Sequence, residues 1–219
     1  MMTPTSIQRL LQRRAILMMT LTAALVLSLA PSRFLTPAWA DDPMSVVKTT
    51  VNQALEVLRD KSTPLAQRQD KLRQIVAATF DFSEMAKSAL GYHWKEITPA
   101  QQQEFTNAFI AFIEDSYLSK INDYSGQQVN FLRASNEGAQ YAQVNTDIVQ
   151  PKGDAIHVNY RLLQENGTWR IYDVTVDAIS IIQNYRVQFN RVMNSKGYQT
   201  LINDLKAKQA ALAASLANH

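Results

Sequence analysis

YAQVNTDIVQPKGDAIHVNYRLLQENGTWRIYDVTV, residues 141–176, holds three runs in which apolar and polar side chains alternate. Ala142, Val144, Thr146 and Ile148 interleave with Gln143, Asn145 and Asp147. Ile156, Val158, Tyr160 and Leu162 interleave with His157, Asn159 and Arg161, and Tyr172, Val174 and Val176 with Ile171, Asp173 and Thr175. A period of two places each set on one face of a strand. Pro151-Lys152-Gly153-Asp154 separates the first two runs. Asn166-Gly167, a dipeptide suited to a two-residue hairpin turn, separates the last two. An earlier run, Val129, Phe131 and Arg133 against Asn130 and Leu132, ends at the turn Asn136-Glu137-Gly138. Short turns between adjacent strands make an antiparallel meander, with one face wet and the other in need of cover.

Flanking segments of helical period supply that cover. Val47, Val51, Leu55 and Leu58 predict a helix from about 44 to 60. Thr63-Pro64 offers an N-cap and a first-turn proline for a second helix, with Leu72, Ile75, Val76 and Phe80 on its apolar side. Asp81 and Glu84 have capping-box spacing, and Gly91 is placed to end that short helix. Thr98, Pro99 and Gln101 open a longer helix, along which Phe105, Phe109, Phe112, Ile113, Ser116 and Ile121 share one broad aromatic face. After Ser180 come Ile181, Ile182, Tyr185, Phe189 and Val192 on a helix that Gly197 interrupts. Leu201, Ile202, Leu205, Leu212 and Leu216 continue it. The expected fold is α+β: helices packed on one face of a strongly twisted antiparallel sheet of about four strands, enclosing an apolar cavity. A phenylalanine stripe is ordinarily plain core. Bulky side chains from several elements at once, over the concave side of a twisted sheet, are what favour a cavity here.

The chain opens with Arg9, Arg13 and Arg14, then the apolar run AILMMTLTAALVLSLA (residues 15–30), then Ala38-Trp39-Ala40 before Asp41-Asp42. That order reads as an export signal over residues 1–40, cleaved to leave one domain, residues 41–219. The first forty residues hold four of the 22 lysines and arginines and none of the 19 acids, so their removal turns a formal charge of +3 into −1. The high isoelectric point therefore belongs to the signal, and nucleic-acid binding loses its electrostatic basis. With no cysteine, neither disulfides nor thiol catalysis is available, and the core alone must hold the fold.

Chemistry is sparse. His93, His157 and His219 are the only histidines, and none has a second histidine or a cysteine at i±2, i±3 or i±4. No nucleophile elbow, phosphate loop or dinucleotide fingerprint occurs. Asp173 and Asp177 share one strand face, and a carboxylate pair can transfer protons, but a solvated strand end beside Arg170 is the expected reading. A small-molecule enzyme with a cone-shaped α+β pocket, using Asp173 or a tyrosine, is one alternative to a carrier. A scaffold with a solid core and no ligand is another.

Two motif blocks add to this reading. Phe80-Asp81-Phe82-Ser83-Glu84-Met85-Ala86 leads to Leu90-Gly91-Tyr92-His93-Trp94, Thr98-Pro99-Ala100-Gln101, Phe105 and Tyr117. Trp169-Arg170-Ile171-Tyr172-Asp173-Val174 leads to Ser180 and Asn184-Tyr185-Arg186-Val187-Gln188-Phe189. Their order and spacing, over roughly residues 45–205, resemble the MlaC family of toluene-tolerance auxiliary proteins. Ala178 departs from it where glycine is common, and His93 where a basic residue is frequent. The resemblance implies a non-enzymatic periplasmic phospholipid carrier, an auxiliary component of an ABC transport system that maintains outer-membrane lipid asymmetry. Its implied partners are the substrate-binding subunit of an inner-membrane ABC transporter and an outer-membrane lipoprotein–porin complex. No cofactor is expected, phospholipid is the cargo, and the chain is a monomer that binds no nucleic acid or metal. Under that implication, periodicity assigns tail contact to Met85, Leu90, Phe105, Phe109 and Phe112 from the helices. Val144, Ile148, Val158, Tyr160 and Val174 face them from the sheet, and Tyr185 and Phe189 close one end.

Overall fold

A computed structural model describes residues 42–118, 123–150 and 154–217. The expected signal segment, Ile121 of the aromatic stripe, residues 151–153 of the strand connection, and His219 lie outside these residues. The four alternating runs form β1 (Gln128–Asn136), β2 (Tyr141–Val149), β3 (Ile156–Glu165) and β4 (Thr168–Val176), paired antiparallel in chain order. Asn166 and Gly167 turn between β3 and β4 with φ of 51° and 82°, the left-handed conformations that a type I′ hairpin requires. A fifth strand, β5 (Ile179–Ser180), extends the meander beyond the expected four. It was hidden because its turn is Asp177-Ala178, at φ 45° and 67°, with no glycine to mark it.

Register places Val144, Tyr160 and Val174 in one row across three strands, and Thr146, Val158 and Val176 in the next. Two irregularities bend the sheet. Between Phe131 and Arg133 the pairing slips, leaving Leu132 exposed. A second slip sets Ile171 opposite Leu162 while Asp173 still pairs with Arg161. Tyr172 therefore leaves the face of Val174, against the simple alternation, and its ring lies 5.2 Å from the Arg161 guanidinium and 6.0 Å from the ring of Tyr141.

Among the described residues five helices accompany the sheet: α1 (Pro43–Arg59), α2 (Leu65–Thr79), α3 (Phe82–Leu90), α4 (Pro99–Leu118) and α5 (Ile181–Ala217). Among the described residues none is long and apolar enough to cross a membrane. The Asp81 carboxylate accepts the Glu84 N–H at 2.9 Å, and Gly91 ends α3 at φ 62°. Thr98 Oγ1 accepts the Gln101 N–H at 3.3 Å while the Gln101 side chain accepts the Thr98 N–H at 2.9 Å, a reciprocal cap on α4. The cap expected at Thr63 is absent: its hydroxyl donates back to Asp60 at 2.5 Å, and α2 begins after Pro64. A 3₁₀ turn, Gly91–Lys95, links α3 towards α4. Gly197, at φ 77°, divides α5 into two helical stretches.

Two apolar clusters result. One lies among α3, α4 and α5, and the other between α1 and the sheet. Phe80 packs against both and bridges in parallel to Ile171, with the Asp81 N–H donating to the Ile171 carbonyl at 2.8 Å.

Candidate functional site

The helix-borne candidates all meet. Met85, Leu90, Phe105, Phe109, Phe112 and Phe189 are buried in one cluster, with Tyr185 packed on it. Phe105 stacks on Phe109 at 5.9 Å and meets Phe189 edge-on at 5.7 Å. Tyr185 stacks on Phe189 at 5.6 Å and presents its edge to Phe112 at 5.5 Å. Rings at these distances leave no gap between them, so this seam is packed interior.

The sheet-borne candidates separate from that seam. Val144, Tyr160 and Val174 belong to the cluster under α1, Val158 is buried one row further along, and Ile148 is half-buried. The expected facing of the two sets is thus replaced by two adjoining clusters. A helix stripe tells which residues are inside without telling which neighbour they meet. Recesses of about 600 Å³ among α2, α4 and the end of α5, and of about 520 Å³ beside Phe80 and Arg170, are lined by none of the twelve candidates.

Three tyrosines near the sheet and the start of α5 combine burial with remaining accessible surface. Tyr160 keeps accessible surface, yet burial pushes its phenol up to about 12. Tyr117, at the end of α4, is 49 % exposed, and burial pushes it likewise to about 12. Tyr185 and Asp173 both act on the Tyr117 phenol, and Asp173, which pairs with Arg161, faces away from Val174 and Tyr160. Tyr117 and Tyr185 thus meet where α4 ends and α5 begins, beside Asp173 of β4. Tyr185 is also raised by burial, opposed by its hydrogen bond with Ser116. Periodicity missed Tyr117 at this junction because it falls off the phenylalanine stripe.

The polar groups of this region hold structure together. Asp173 is 2 % exposed, contrary to the solvated strand end expected. Its Oδ2 accepts from Ser180 Oγ at 2.7 Å and its Oδ1 from the Ile182 N–H at 3.2 Å, while Ser180 Oγ accepts the Gln183 N–H at 3.0 Å. Asp173 and Ser180 together cap α5. Asp177 accepts the His157 N–H instead, so the two aspartates form no catalytic pair. His93 is buried between Glu96 Oε2, at 2.5 Å, and Asn190 Oδ1, at 3.0 Å, tying the 3₁₀ turn to α5. His157 lies exposed against Asp147 at 2.6 Å. Among the described residues no group of three metal-ligating side chains converges.

Comparison with known proteins agrees with this architecture. The family model described as "MlaC protein" matches residues 48–207. A toluene tolerance protein, ttg2D of Pseudomonas putida, is 29 % identical over 209 residues, 87 % of this chain and 94 % of that protein. The intermembrane phospholipid transport system binding protein of Haemophilus influenzae is 23 % identical over 121 residues. That match spans 53 % of this chain and only 56 % of the relative. A solved phospholipid-binding protein from Ralstonia solanacearum, in complex with a phospholipid, superposes with a TM-score of 0.71 at 22 % identity, covering 78 % of this chain and 99 % of the other.

Proposed function

The chain belongs to the MlaC family, and from that premise we propose that it is a non-enzymatic periplasmic carrier of phospholipid. The observation that carries the reading is the family match over residues 48–207, joined to a fold that superposes with a TM-score of 0.71 on a protein solved with a phospholipid. The Ralstonia protein of this fold was solved holding a phospholipid, and the Haemophilus relative is named for phospholipid transport.

Two acyl chains expose on the order of 30 methylenes, worth about 25 kcal/mol in water at ~0.8 kcal/mol each. A free lipid therefore almost never crosses an aqueous gap. A protein wall that replaces bilayer contacts makes the transfer nearly neutral, and no bond has to break. The phosphate stays hydrated at the mouth, which avoids its desolvation cost. Neutral exchange has no direction of its own, so direction comes from the partners. These are the substrate-binding subunit of an inner-membrane ABC transporter and an outer-membrane lipoprotein–porin complex, between which the carrier maintains lipid asymmetry.

Ile148, Val158, Tyr160 and Val174 form the tail-contacting wall in this reading, with Tyr185 at one end. Val144 continues the same strand face, while Met85, Leu90, Phe105, Phe109, Phe112 and Phe189 back the site as the rigid seam. Residues 1–40 direct export and are removed, and residues 41–219 act as one monomeric domain. Mass spectrometry of gently purified protein tests this. Stoichiometric phospholipid is expected. A small polar metabolite in its place indicates an enzyme, and the absence of any ligand indicates a scaffold.

A further inference from the structure

The sheet face opposite Val144 and Tyr160 borders a recess of about 370 Å³, lined by Glu84, Glu137, Tyr141, Arg161, Leu163 and Tyr172. Tyr141 pairs with Leu163 across β2 and β3, and Arg161 lies two residues before Leu163, so these three share that face. The slip in pairing brings Tyr172 to them. Its ring lies 6.0 Å from that of Tyr141, at 73°, and the Arg161 guanidinium stands 5.2 Å over it. Burial raises the Tyr172 pKa, Arg161 lowers it, and Glu137 and Tyr141 raise it, so all three lie near one phenol. The Glu137 N–H donates to the Tyr141 carbonyl at 2.7 Å, which ties the turn to the start of β2.

Charges of opposite sign line this recess without pairing. Arg161 is half-buried and makes no hydrogen bond or ion pair among the described residues; its contact is the ring of Tyr172. Asp173, its cross-strand partner, is already engaged with Ser180 Oγ and the Ile182 N–H. Glu84 is engaged as well, by Lys87 at 2.9 Å and by Ser88 Oγ at 3.1 Å. The Glu137 carboxylate and the Tyr141 hydroxyl, both on exposed residues, have no hydrogen bond among the described residues. A lone anion in this space would face Glu137, and a lone cation would face Arg161, each with like-charge repulsion. A ligand bearing both signs satisfies both side chains at once.

We propose that this recess binds a zwitterion of the phosphoethanolamine type, with its phosphate on Arg161 and its primary ammonium on Glu137. The planar fork of a guanidinium offers two N–H groups to two phosphate oxygens. A primary ammonium carries three donors, which suit the Glu137 carboxylate and the Tyr141 phenol oxygen. A quaternary ammonium has no donor and relies on open aromatic faces, and Arg161 already stands over the ring of Tyr172. The zwitterion is either a free phosphodiester or the headgroup of a lipid. Arg161 is turned away from Tyr160 and Val174, so the site stands independently of the tail-contacting wall and of the carrier reading.

Calorimetric titration of the mature protein tests this, with glycerophosphoethanolamine, glycerophosphocholine and inorganic phosphate at equal ionic strength. The wild type should bind glycerophosphoethanolamine and prefer it to the other two. Arg161→Gln should weaken that binding about tenfold or more, the loss of one charge-assisted hydrogen bond. Glu137→Gln, at an exposed turn residue, should erase the preference over glycerophosphocholine. A short-chain phosphatidylethanolamine below its micellar concentration identifies the source: if it alone binds in an Arg161-dependent way, the ligand is a lipid headgroup. Three results would overturn the site: a wild type indifferent to both ethanolamine probes, both variants binding as the wild type does, or choline and phosphate probes bound as tightly as the ethanolamine ones. Lipid content of the same preparations keeps the two readings apart, since a full load in Arg161→Gln leaves the carrier intact whatever becomes of this site.

Discussion

The aromatic seam among α3, α4 and α5 and the strand face around Tyr160 are built from the same kinds of residue, yet they end in different states. In the seam, Phe105, Phe109, Phe189 and Tyr185 fill one another's gaps, and Phe105 and Phe109 have no exposed surface. Around Tyr160 and Tyr117, burial is deep enough to raise both phenols to about 12 while accessible surface remains. Apolar composition predicts burial in both places. Only the arrangement of neighbours separates a filled interior from a face that can receive a ligand.

That contrast is broken most strongly in the seam. Phe109→Ala should cost about 3–5 kcal/mol, the usual loss for truncating a fully buried ring, measured by chemical denaturation, while the folded fraction keeps its lipid. A Phe109→Ala protein that stays fully stable would mean the seam is not packed. Next is the join between the regions: Asp173→Ala removes the acceptor for Ser180 Oγ and the Ile182 N–H and should cost about 2 kcal/mol by stranding a buried donor. Amide exchange in the first turn of α5 should rise with it. Ala178→Gly relieves a left-handed alanine at φ 67° and should add about 1 kcal/mol of stability. A loss there would show that the turn conformation is otherwise in solution.

The smallest effect lies on the wet face. Hydrogen bonding to Asp147 raises the His157 pKa above its ordinary 6.5. A raised folded-state value gives stability that is fully present below 6.5 and lost as pH climbs through the folded value. The Tm should therefore drift down slightly over that interval in the wild type and stay flat in Asp147→Asn. An identical drift in both would remove the pair from the account.

Much of the fold was legible because strand alternation and helix caps are local signals. Ala142 to Ile148 and Ile156 to Leu162 each kept their phase, and Thr98 with Gln101 capped α4 as spaced. What stayed hidden depended on distant partners. Asp173 looked solvated because the hydroxyl and amide it serves lie seven and nine residues further on, across a turn. The slip at Tyr172 depends on the register of β3, which no run of β4 alone encodes. The twelve candidate contacts were sound as buried or half-buried positions. Their division into two clusters was not legible, since a stripe on α4 does not record whether a sheet or another helix lies opposite.

The most direct test of that division is the phospholipid content, by native mass spectrometry, of two folded variants purified side by side. Val158→Trp puts an indole on the strand face proposed to contact the tails, and Phe109→Leu changes the seam only. The account predicts an empty Val158→Trp protein and a fully loaded Phe109→Leu protein. A loaded Val158→Trp protein, or lipid lost only from Phe109→Leu, would contradict it.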